Sequence, residues 1–151
     1  MLSRTAEYLY WISRYMERAE TTARLLDVGY RMSLFPNPSG YNNEWESVLS
    51  AAGAIEGYKN KYDTIEQKNV EDYLFFDESN PSSVYNCILN ARNNALVVRT
   101  SFTPESWLAI NKTYQEILNL KEKKFTKSDL PDLTEWTIEQ VNLFRGSLSS
   151  L

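Results

Sequence analysis

The chain contains no histidine and a single cysteine, Cys87. Those two gaps exclude much of ordinary enzyme chemistry. A Ser-His-Asp or Cys-His arrangement cannot be assembled within it, and neither can a zinc site of Cys/His type. The Glu-x-x-His pattern that helical bundles use for paired metals is also missing. Hard cations held by carboxylates are the metal chemistry left open. One thiol cannot form an internal disulfide, and it fits a reducing compartment. Long hydrophobic runs are lacking too, since no stretch approaches the roughly eighteen apolar residues of a membrane span. Charge interrupts the opening Met1-Leu-Ser-Arg-Thr-Ala-Glu7 at once, so it does not read as a signal peptide. The expected location is the cytoplasm. An excess of positive charge is also absent. The formal net charge is −4 and the basic residues are scattered, whereas a nucleic-acid binder should be more basic and more asymmetric.

What is present is aromatic and helical. Twenty aromatic residues (4 Trp, 10 Tyr, 6 Phe) in 151 make disorder a poor reading, and the length suits one domain with a real core. Apolar or small residues recur at Leu2, Ala6, Leu9, Ile12, Met16, Ala19, Ala23, Leu26 and Tyr30. These steps of three and four mark one face of a long helix, running from about Ser3 to about Ser33. The opposite face carries Glu7, Arg14, Glu17, Arg18 and Arg24, with Tyr10, Trp11, Leu25 and Val28 among them. A helix apolar on both sides is usually buried on both sides, and this one is expected to be.

Further on, two prolines and a glycine in Leu34–Gly40 break the first helix. A second helix is expected over about Glu44 to Ala52, with Gly53 as its stop, and residues 54–63 read as a loop or a frayed turn. Thr64 and Gln67 form a capping-box pattern that opens a third helix to about Phe76. Asn80-Pro81 and Thr103-Pro104 then read as N-cap and first helical position of the next two helices. After a Lys-rich loop, a sixth helix starts at Ser128 to Asp132. Nothing alternates over strand lengths. The expected fold is all-α, an antiparallel bundle of about six helices with a long first one.

The candidate polar network or ligand site is Arg14, Glu17, Arg18, Glu20, Arg24, Arg92, Arg99 and Asn111. Arg14 and Glu17 are three apart and Glu20 and Arg24 four apart, so each pair can meet on a helix surface. Three readings of this cluster stand side by side. It is a solvated face, a buried ionic network that sets helix register, or an anion- or carboxylate-binding site on Arg14 and Arg18. Arg92 and Arg99 lie seven apart at the edge of an apolar stripe, to snorkel there or to pair with Glu17 or Glu20. Asn111 falls inside its helix's apolar stripe and needs a backbone or arginine partner. Cys87, beside Val84 and Ile88, reads as an inert core thiol, and Ser82-Ser83, a pair able to hold a phosphate at a helix N-terminus, reads better as ordinary capping. No residue is assigned as catalytic, cofactor-binding or metal-ligating.

The stretch from Leu2-Ser-Arg-Thr-Ala-Glu-Tyr-Leu-Tyr-Trp11 through Arg14-Tyr-Met-Glu17-Arg18-Ala-Glu20 to Asp27 resembles the bacterial alpha-E family, an all-helical family named for its Glu-Arg motif. Asn80-Pro-Ser-Ser83, Ala91-Arg92-Asn-Asn94, Arg99 and Trp107 to Asn111 share the likeness. The resemblance implies a domain of unknown function, and a protein of about twice this length whose first half matches this chain. Asn93 and Leu96 depart from the family pattern, where Glu and Arg are expected. It also implies a setting beside a circularly permuted ATP-grasp protein and a transglutaminase-like protein, in a peptide-forming or peptide-modifying system. On that basis the chain is expected to be a non-catalytic partner or scaffold. The alternative is an enzyme or ligand-binding domain using the helix-one cluster. A missing half would leave apolar surface bare, so a homodimer is expected in which a second copy covers it.

Overall fold

The computed structural model describes residues 3–35, 43–123 and 129–148. Within them the chain forms seven α-helices: α1 (Ser3–Ser33), α2 (Asn43–Ala51), α3 (Ile55–Lys61), α4 (Gln67–Phe75), α5 (Val84–Val97), α6 (Pro104–Glu122) and α7 (Leu130–Leu148). A 3₁₀ turn, Arg99–Ser101, joins α5 to α6. Among the described residues there is no strand, and no helix is long and apolar enough to cross a membrane. The expected breaks at Pro36–Gly40 and in the Lys-rich 124–128 stretch lie outside the described residues.

Helix α1 is the axis of the fold. Its 31 residues run about 46 Å at 1.5 Å per residue. It packs against α5 on one side and α7 on the other, and α6 closes the ring against both. Neighbours run antiparallel. Ser106 and Thr113 of α6 bond the Ser147 carbonyl and Gln140 of α7, at 3.2 and 3.1 Å, so rising numbers on one helix meet falling numbers on the other. The N-terminal half of α1 supplies Ile12 and Met16 to one core, with Ala91 and Ala95 of α5, Ile110 of α6, and Val141 and Phe144 of α7. Its C-terminal half supplies Ala19 and Leu26 to a second core, built largely from α2, α3 and α4. The chain is a four-helix bundle extended at one end by three short helices.

Three local readings change, each for a physical reason. Residues 55–61 are helical because Tyr58 is fully buried, stacks on Tyr62 at 4.8 Å and meets Tyr73 edge-on at 5.7 Å. Tertiary packing holds a turn that weak local propensity would leave open, and seven helices replace the expected six. The Thr64–Gln67 capping box does not form. The Tyr58 hydroxyl donates to the Thr64 carbonyl at 2.7 Å, and α4 begins at Gln67 behind an extended Glu66 with no side-chain cap. Asn80 is not the cap of the helix that follows. Ser83 is, accepting from the Asn86 N–H at 3.1 Å, as the capping reading of Ser82-Ser83 had it. The other local signals stand. Thr103 accepts from the Ser106 N–H with Pro104 in the first turn, and Gly53 follows α2 at φ +68°, a conformation that suits glycine.

The largest correction concerns α1. Its outward side is not covered: Tyr10 is 57%, Trp11 43% and Val28 54% exposed. Of the apolar residues set among the charges, Tyr10, Trp11 and Val28 lie on the surface with them, and Leu25 is half-buried against the core.

Candidate functional site

The outward side of α1 and the facing edge of α7 form a shallow groove. Arg14, Glu17, Arg18, Glu20, Thr21 and Arg145 line an open depression of about 480 Å³ in it. Periodicity explains the gathering: Arg14, Glu17, Arg18 and Thr21 recur at three and four residues, so a straight helix sets them on one side. Arg14 Nη1 donates to Glu17 Oε2 at 2.9 Å, with the side chains 49% and 55% exposed. An exposed pair three apart contributes only about 0.2–0.5 kcal/mol. The Glu17–Arg14 contact is therefore incidental to folding.

Glu20 is different. Its Oε2 accepts from Arg24 at 2.9 Å, and its Oε1 accepts from Arg145 of α7 at 2.8 Å. The Arg145 bond, more than the Arg24 bond, holds the Glu20 carboxyl below its ordinary value of 4.5 against the opposing effect of burial. Arg145 also donates to Asn142 at 3.1 Å, which keeps its guanidinium aimed. A carboxyl with a depressed pKa contributes stability above its unfolded value and loses it as pH falls through the folded value. Unfolding at pH 7 and below pH 4.5 should therefore show wild type more stable than Glu20→Gln at the higher pH, with the gap closing on acidification. A gap that does not change with pH would reject this bridge.

Arg18 is exposed and makes no ion pair among the described residues. Its charge is felt at the Cys87 thiol on α5, but burial dominates there and pushes that thiol up to about 12. Cys87 is an inert core group, as its apolar neighbours had suggested.

The rest of the expected cluster is elsewhere. Arg92 lies over the Tyr114 ring at 4.3 Å, between α5 and α6, and its buried Nε has no hydrogen-bond partner. Arg99 is exposed in the 3₁₀ turn. Neither pairs with Glu17 or Glu20. Asn111 makes neither the backbone nor the arginine bond its position called for, and its Oδ1 is buried without a partner. Helix geometry brings Arg14, Glu17, Arg18, Glu20 and Arg24 together, and it does not bring Arg92, Arg99 or Asn111 to them. Asn93, one of the two departing positions, is exposed, and Leu96 is half-buried. Arg145 is the member that sequence reasoning missed. It stands 125 residues from Glu20, and nothing local to α7 singles it out. Among the described residues no three His, Cys, Asp or Glu side chains converge on a metal position.

An all-helical bundle that shows a Glu-Arg pair on the outside of its long first helix is the class of protein these features define. The chain belongs to the Alpha-E family, described as a predicted alpha-helical domain with a conserved ER motif, and the match covers residues 1–150. Glu17-Arg18 is the only Glu-Arg dipeptide in the sequence, so it is the family's motif here. No curated protein and no solved structure matches the chain.

Proposed function

We propose that the chain is a non-catalytic helical scaffold that binds protein partners through the outward face of α1. The carrying observation is the position of the motif. Glu17 and Arg18 are exposed, and their contacts add little to folding. Conserved charged residues that packing does not require are kept for recognition. Exposed Tyr10, Trp11 and Val28 around them supply the apolar area that docking needs. The family resemblance supports a partner in a peptide-forming or peptide-modifying system, a circularly permuted ATP-grasp protein or a transglutaminase-like protein.

The test is co-purification with the ATP-grasp partner, using Glu17→Gln and Arg18→Ala. Each should change stability by less than about 0.5 kcal/mol and reduce capture severalfold. A folded variant with undiminished capture rejects the reading. A second reading, a carboxylate or other anion as ligand, is favoured by Arg14, Arg18 and Arg145 facing one depression. Millimolar glutamate would raise the melting temperature under that reading and leave it unchanged under the first.

A further inference from the structure

The outward face of α1 carries a second seam. Trp11, Arg14, Arg18, Thr21, Leu25 and Val28 follow one another at alternating steps of three and four. That is the heptad spacing by which one helix meets another. Five of the six are exposed, and Leu25 is half-buried against the core.

We propose that this seam is a self-association surface, on which a second copy of the chain lays its own α1 antiparallel. The inference rests on reading the outward face of α1 as a docking face, and it names the occupant. Charge complementarity within one register selects this occupant. When Trp11 faces the second copy's Val28, the same alignment sets Arg14 against Leu25 and Arg18 against Thr21, each twice by symmetry. The apolar ends of the seam then bury each other, and the long arginine stems lie along apolar or small neighbours. The flanking row falls equally well. Glu17 faces the second copy's Arg24, and Tyr10 faces its Arg31, where a guanidinium can sit on the ring.

The free groups fit. Glu17 uses only Oε2 on Arg14, and Arg24 uses Nε and Nη2 on Glu20. Glu17 Oε1 and Arg24 Nη1 therefore have no partner among the described residues and remain for the cross-pair. Slipping the pairing by one heptad in one direction puts Glu17 opposite Glu17 and Arg14 opposite Arg18. Slipping it the other way sets Glu17 opposite Arg31 twice but puts Arg24 opposite Arg24. Like charges face each other in both, so charge selects the first register.

The experiment is analytical ultracentrifugation of the wild type, Glu17→Arg, Arg24→Glu and the double variant, with circular dichroism to show that each is folded. The wild type should sediment as a dimer. Each single reversal sets like charges across both symmetric sites and should weaken association by about tenfold or more. The double reversal exchanges the partners and should restore the dimer, although it keeps the within-helix repulsions of both singles. A wild type that is monomeric at about 100 µM, a concentration that populates weak dimers, overturns the proposal. So does a double variant as dissociated as the singles. A monomeric wild type that still captures a partner through Glu17 and Arg18 removes the second copy and leaves the docking face standing. A charge-dependent dimer that captures no partner supports the self-association and rejects the partner reading.

Discussion

Replacing Trp45 by alanine is expected to lower the stability of the fold by about 3–5 kcal/mol, the range for truncating a large buried aromatic. Trp45 is 1% exposed and sits in the core that joins α2 to the C-terminal half of α1. Its seat depends on a glycine. A Cβ placed on Gly29 of α1 would come within 2.7 Å of Trp45 Cζ3 and 2.8 Å of Val48 Cγ2, so α2 lies against bare helix backbone there. Glycine inside a helix costs about 1 kcal/mol relative to alanine, yet Gly29→Ala should destabilise, because the overpacking of about 1–3 kcal/mol outweighs that gain. In the Trp45→Ala background the penalty should shrink, with Val48 alone left in the way. Urea unfolding of the four proteins measures the coupling. Additive effects within about 0.3 kcal/mol would mean that the two residues do not share this contact.

Asn80→Ala should be the next most damaging change, at about 2–4 kcal/mol. The side chain is 4% exposed and both ends of its amide are engaged. Nδ2 donates to the Tyr73 carbonyl at 3.0 Å, and Oδ1 accepts from the Ser82 N–H at 3.1 Å. Truncation leaves those groups short of a partner at about 1–3 kcal/mol each. Asn80 also anchors the turn through its backbone, whose carbonyl accepts from Asn86 at 2.8 Å. Asn80→Asp should be nearly as harmful, since a carboxylate presents an acceptor to the Tyr73 carbonyl. Hydrogen exchange should show the first turn of α5 opening more readily in both variants. Protection equal to wild type would show that the turn holds without this amide. In this protein the Asn-Pro-Ser-Ser stretch is a joint between α4 and α5.

The legible parts of the chain are those decided locally. The bounds of α1, the Thr103–Pro104 entry to α6 and the Gly53 stop depend on neighbours within a turn or two, and they could be read in order. The α3 segment could not, because the packing of its Tyr58 and the adjoining Tyr62 against Tyr73 of α4 holds it helical. Asn80 and Ser83 are both good caps, and the choice between them fell to a carbonyl seven residues upstream. Arg92 could be placed at the edge of an apolar stripe, but its Tyr114 partner belongs to another helix.

The same division runs through the motif. Helical periodicity set Arg14, Glu17, Arg18 and Thr21 on one face, and the missing histidine excluded a Ser-His-Asp or Cys-His arrangement within the chain, all from the order of residues. Periodicity reports which side chains share a face, and it is silent about whether a neighbour covers that face. Here α5 and α7 flank α1 and leave its outward side bare, so what read as a buried ionic network is a displayed one. Arg145 reaches Glu20 because α7 returns antiparallel beside α1. Long-range pairing of that kind is a property of the packed bundle, since no local interaction encodes which of several similar helices lies next to which.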